Sequence, residues 1–158
     1  MPLQLENHNT LGTLNDATLD QIIINGLMSH LTDTFTTLQD CYRVLQPGGI
    51  LDIQDGLNSN HKRTAQYIDT IYRMFTPSHK HFAADYEWRG VLLDAGFEII
   101  TFQTKKKIQI VPETPHREKI RILLQQAPER VSQFLSPIDA NQLTFTYREV
   151  QISVKKPE

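Results

Sequence analysis

The sequence predicts an α/β fold, a mixed sheet of about four strands with flanking helices. Two local patterns carry that expectation. Ile22-Ile23-Ile24 is a continuous β-branched run, which suits a strand covered on both faces. A segment of helical period follows and stops at Pro47-Gly48-Gly49, ahead of a second apolar strand, Ile50-Leu51-Asp52-Ile53. Strand, helix, strand in that order is the crossover unit that makes its two strands parallel.

Each element has its own local reason. Residues 1–19 are polar and broken by Asn7, Asn9, Gly12, Asn15 and Asp16, so they read as a loop or a weak edge strand. The first helix is expected from about Asp33 to Leu45, capped by Thr32 or Asp33, with Phe35, Leu38, Cys41, Tyr42 and Leu45 on its apolar face. Residues 63–75 repeat the helical pattern through Ala65, Ile68, Ile71, Tyr72 and Phe75, until Pro77 interrupts. A third helix over 84–95 ends at Gly96, a residue suited to the left-handed stop position. Phe97 to Phe102 reads as a strand that can run on to Ile110.

Thr114-Pro115 then predicts a cap followed by proline at the first helical position, with Ile120, Leu123 and Leu124 facing inward. Ala127-Pro128 breaks that helix and starts a short one through Leu135. The segment Leu143 to Val154 alternates as a strand, but its phase changes near Arg148-Glu149, which predicts a bulge or a break.

Composition narrows the function classes. The chain of 158 residues carries a net charge of −2, without the basic excess of a nucleic-acid binder. Lys105-Lys106-Lys107 reads as a solvated face. The run Ile22-Ile23-Ile24 is far too short to span a bilayer, and the N-terminus has no basic start followed by an apolar stretch. A single cysteine, Cys41, excludes an internal disulfide and points to a reducing cytoplasm. One domain is expected.

From Asp20 onward, the chain resembles a known family. The stretch Leu19-Asp20-Gln21-Ile22-Ile23-Ile24-Asn25-Gly26-Leu27-Met28-Ser29-His30-Leu31 leads into Arg43-Val44-Leu45-Gln46-Pro47-Gly48-Gly49 and closes on Asp55. Glu87-Trp88-Arg89, Ala95-Gly96-Phe97, Leu123-Leu124 and Ala127-Pro128 continue the likeness. In this it is similar to class I S-adenosylmethionine-dependent methyltransferases of the ubiquinone- and menaquinone-biosynthesis kind. The resemblance implies a Rossmann-like fold of which residues 20–158 form the C-terminal half, behind an N-terminal loop or edge segment over 1–19.

In that family the cofactor lies on a glycine-rich turn after the first strand, and an acidic residue ending the second strand holds its ribose. Both precede the position matching Asp20. None of the seven glycines forms Gly-x-Gly, and Gly48-Gly49 stands between a helix and a strand, the wrong context for a nucleoside. The expectation is a methyltransferase-like chain, inactive alone, that binds no cofactor and no metal by itself. S-adenosylmethionine would bind only if a partner supplied the missing half. The alternatives are one half of a split methyltransferase and a non-catalytic homodimeric module. The strand Ile22–Asn25 is expected to have an open edge, covered by a second copy, by a cofactor-bearing chain, or by residues 1–19 folding back.

Four residues are candidates for a substrate pocket. His30 follows the first central strand at its carboxyl end, where α/β folds place ligands, and it either lines the pocket or caps its loop. Asp55 ends the next strand at the same sheet edge, to orient a substrate, act as a base, or cap the turn at Gly56. His79 and His81 lie in a loop that, in the resembling enzymes, folds over the substrate. Tyr72 and Trp88 read as core more than as a substrate platform, and Cys41 as a small buried side chain.

Overall fold

The β-branched run lies inside a strand, and a helix and a parallel strand follow it, as the spacing requires. The computed structural model describes residues 2–158. In chain order the elements are β1 (Pro2–Leu5), β2 (Leu19–Asn25), α1 (Thr34–Val44), β3 (Leu45–Leu57), α2 (Lys62–Phe75), α3 (Asp85–Asp94), β4 (Glu98–Ile110), α4 (Arg117–Gln125), α5 (Glu129–Phe134) and β5 (Thr144–Lys155). They form one sheet of five strands, in the order β1-β2-β3-β5-β4. β1, β2 and β3 are parallel, and β5 runs antiparallel to both β3 and β4.

Two apolar clusters hold the fold. Ile22, Ile24, Leu51, Ile53, Val150, Ile152 and Val154 pack with Leu38, Cys41 and Val44 of α1 and Trp88 and Leu92 of α3. Each such aliphatic side chain stabilises the fold by roughly 1.5–3 kcal/mol on burial. The second cluster joins α2, α4 and α5 to the start of β5, through Ile68, Tyr72, Ile120, Leu124, Val131 and Phe145. The alternate positions of the central strands, Gln21, Ile23, Asn25, Asp52, Gln54, Gln151 and Ser153, are half-buried or exposed. The depression over them is lined by strand residues alone.

Several expectations need correction. The edge of Ile22–Asn25 is not open to another chain: of the three expected coverings it is the N-terminal segment that folds back, and β1 pairs with it in parallel, Leu3 opposite Ile22 and Leu5 opposite Ile24. The sheet therefore has five strands where about four were expected. Residues 2–5 alternate, with Leu3 half-buried and Leu5 buried between exposed Pro2 and Gln4, and this short pattern is enough for an edge strand.

The predicted bulge near Arg148-Glu149 is absent, because β5 pairs without a shift from Ile110↔Thr144 to Thr101↔Ser153. Its apolar phase changes because Phe145 belongs to one cluster while Val150, Ile152 and Val154, of opposite parity, belong to the other. The register shift lies between Ile99 and Thr101 in β4.

Helix α1 is capped by Asp33, whose carboxylate accepts from Thr36 N at 3.0 Å, but Phe35 is left exposed. It ends at Val44, ahead of Pro47. Helix α4 starts at Arg117, two residues beyond Pro115, and Thr114 Oγ1 instead donates to Met74 O at 3.0 Å. Gly96 ends α3 at φ +101°, with the Tyr42 ring 3.0 Å from where a Cβ would lie.

Candidate functional site

Two clefts lie side by side at the carboxyl ends of β2 and β3, divided by Ser29, Asp55 and Phe82. The divider is built from backbone geometry. Beyond Asn25 the chain turns at Gly26, whose N–H donates to Gln54 O at 2.8 Å. A 3-10 turn over Met28–His30 then brings Ser29 above the end of β3. The Asp55 carboxylate accepts from Ser29 N at 3.1 Å and from Gly56 N at 2.8 Å. Burial pushes the Asp55 carboxyl above the usual carboxylate range, and those two amides only partly oppose the shift.

Ser29 O in turn accepts from Lys80 N at 2.8 Å and His81 N at 3.2 Å, which straps the segment between α2 and α3 across the strand ends. The Phe82 ring fills the space over Gly56, where a Cβ would lie 2.5 Å from it.

The larger cleft has a volume of about 670 Å³ and takes in His30, Asp55 and His79, three of the four sequence candidates. His30 Nδ1 lies 2.9 Å from Ser78 Oγ, so this ring also ties its loop to the strap. The fourth candidate, His81, lines the smaller cleft of about 560 Å³, with Asp55 common to both. The two strap histidines converge on a carboxylate. Asp69, buried in α2, has Oδ1 2.7 Å from His79 Nε2 and Oδ2 2.6 Å from His81 Nδ1, and accepts from Phe82 N at 3.1 Å. His81 Nε2 reaches Glu87 Oε1 at 2.9 Å.

Hydrogen bonding to Asp69, reinforced by Glu87, raises the His81 pKa to about 9 against the cost of burial. Burial alone would raise the Asp69 carboxyl, but the histidine and amide hydrogen bonds outweigh it and hold the group below its ordinary value. Among the described residues no group of three or more His, Cys, Asp or Glu is arranged to hold a metal ion.

The sequence reading missed Asp69. The signal for it was present: an acidic residue four places after Ala65 and three before Tyr72, on the apolar face of an amphipathic helix. It also missed Glu149, which lines the larger cleft at 6% exposure. Burial would raise this carboxyl, yet hydrogen bonds from Gln54 and Lys107 keep it lowered, and Lys107 Nζ lies 3.1 Å away. Tyr72 and Trp88 are buried, as expected, and their rings also line the larger and smaller cleft respectively. Cys41 is fully buried, and burial pushes its thiol up to about 12.

Comparison with known proteins follows the same outline. A family model described as methyltransferase domain matches residues 2–53. No curated protein matches the sequence significantly. Among solved structures, a Bacillus halodurans protein provisionally classed as a methyltransferase superposes with a TM-score of 0.84 at 17% identity, over 92% of this chain and 68% of that one. The YcgJ protein of Bacillus subtilis gives 0.83 at 16% identity, over 92% and 67%. A S-adenosylmethionine-dependent methyltransferase of Methanosarcina mazei gives 0.56 at 15% identity, over 96% and 65%. At these identities the likeness is one of fold, and the chain spans about two thirds of each relative's length.

No helix is long and apolar enough to cross a membrane. The chain carries the fold of these methyltransferase structures, and its residues 2–53 match a methyltransferase-domain model.

Proposed function

We propose that these residues form the acceptor side of a methyl-transfer site, and that they do not hold S-adenosylmethionine by themselves. One observation carries the reading. Asn25, Gly26, His30, Asp55 and His79 converge on a single cleft at the carboxyl ends of two parallel strands, where open α/β sheets bind their ligands.

The cofactor does not fit the residues described. A nucleoside needs a glycine-rich strand-to-helix turn with free amides. The two glycines at the strand ends have their amides occupied, Gly26 N by Gln54 O and Gly56 N by the Asp55 side chain. A chain segment or second chain bearing such a turn would have to supply it.

Methyl transfer asks for an acceptor held in line with the methyl group, so positioning dominates. In the larger cleft His30 and Asp55 hold the polar end of an acceptor, and Tyr72 and Phe82 exclude water from its apolar body. The test is calorimetric titration of S-adenosylmethionine into the 158-residue chain. No binding is expected until a chain carrying the glycine-rich turn is added. Tight binding by the chain alone contradicts the reading.

A second reading, a non-catalytic homodimeric module, draws on β4. This edge strand leaves Ile100, Ile108 and Ile110 exposed at 52%, 72% and 68%. Ile108 and Ile110, two residues apart on one face of this edge, are the apolar pair a second chain could cover. A dimer by sedimentation equilibrium that Ile108→Glu dissociates would favour it, and a monomer would remove it.

A further inference from the structure

We propose that the smaller cleft is a binding site for a small organic cation, an alkyl- or arylalkylammonium. Its volume of about 560 Å³ falls within the range of small-molecule sites. The walls are aromatic: Phe35, Tyr86 and Trp88 line it beside the Phe82 divider. Phe35 and Tyr86 are large rings left exposed at the mouth, at 37% and 59%, in a protein that buries its other aromatic wall, Trp88, to 3%.

Carboxylates outnumber cations in the walls by three to one. Asp55, Glu87 and Asp94 line the cleft, and no lysine or arginine does. The one cationic neighbour is His81, and its two ring nitrogens are already taken up by Asp69 and Glu87.

Two helix starts open on the cleft, and a helix start ordinarily favours an anion. Here each start already has a carboxylate beside it. Asp33 accepts from Thr36 N at 3.0 Å, and Glu87 accepts from Ala84 N at 3.0 Å. What remains for a ligand is a set of aromatic faces and a surplus of negative charge, which together select a desolvatable cation through its charge and its hydrocarbon body.

This inference does not rest on the methyl-transfer reading, since it concerns the other side of the divider. The chain's one tryptophan, Trp88, reports on the cleft. The test titrates the full chain with three probes of similar size, 3-phenylpropylammonium, 3-phenyl-1-propanol and 3-phenylpropionate. Trp88 emission is followed, with calorimetry as a second readout. The ammonium should bind saturably and about ten-fold tighter than the alcohol, with the carboxylate weakest.

Asp94→Asn and Tyr86→Ala should each weaken the ammonium several-fold, while His30→Ala in the larger cleft leaves it unchanged. Both mutated cleft positions lie on the open face of α3, and circular dichroism confirms that the variants fold. Equal binding of alcohol and ammonium overturns the proposal. So does the absence of saturable binding, or sensitivity to His30→Ala in place of Asp94→Asn.

Discussion

Gln21 of β2 reaches diagonally across to Asp52 of β3 on the half-buried polar stretch of the sheet, with Nε2 2.7 Å from Oδ2. Ser153 of β5 donates to the other oxygen of the same carboxylate, so one side chain ties three strands together. An apolar face there would demand a covering layer. A hydrogen-bonded polar one satisfies itself in contact with water, and on this face the helices pack only toward the start of β5, around Phe145.

Asp52→Ala removes the acceptor for both donors. The loss should be about 1 kcal/mol, since the freed amide and hydroxyl are half-buried and recover water. Urea unfolding monitored at Trp88 checks the magnitude. A loss above about 3 kcal/mol would mean that the face is buried in solution against something else.

Stability of the strap over residues 76–84 depends on pH at both ends. The folded pKa of His81 is raised from 6.5 to about 9, so its contribution is full below 6.5 and is lost as pH rises through about 9. The Asp69 carboxyl is lowered from 3.8, so its contribution is present above that value and lost as pH falls through the depressed pKa. The difference in urea midpoint between the wild type and His81→Gln should be largest near pH 5–6 and shrink towards pH 10. A difference that does not change over that range would show that folding leaves the pKa of His81 where it is in the unfolded chain.

Gly56→Ala should destabilise the protein by about 2 kcal/mol, because the new methyl would overlap the Phe82 ring. That ring cannot swing aside freely, being wedged against Tyr72 and His79 at centroid distances of 4.6 and 4.4 Å. Removing the ring should relieve the clash. In a double-mutant cycle, Gly56→Ala combined with Phe82→Ala should cost about 1 kcal/mol less than the sum of the two single changes.

Cys41 should resist thiol reagents in the native state. It has no exposed surface, and its thiol, pushed up to about 12, supplies almost no thiolate at neutral pH. Labelling with a chromogenic disulfide should proceed only at the rate of unfolding, and become immediate in denaturant. Fast native labelling would place α1 away from the sheet.

Much of this protein is local and was legible as such. The strands at Ile22 and Leu51, the helices over residues 33–45, 63–75 and 84–95, the Asp33 cap and the Gly96 stop follow from periodicity and backbone sterics, which act within a few residues. The positions of His30 and Asp55 at the carboxyl ends of β2 and β3 follow from the same strand boundaries, whereas His79 comes from the family resemblance. What tertiary structure alone decided depends on which surfaces meet.

Leu3 and Leu5 became an edge strand only because β2 had a partnerless side. The phase change in β5 signalled two clusters on opposite faces, where periodicity alone suggested a bulge. Phe35 has the spacing of a core residue, yet it stands at the mouth of a cleft because α1 meets the sheet one turn further on. The pair His79 and His81 looked like neighbours serving one site. An acid ten and twelve residues back in α2 turns them instead to either side of a divider. A strand or helix is fixed by neighbours along the chain, whereas a cleft is fixed by groups far apart in sequence that share one space, and the one-dimensional pattern does not encode that distance.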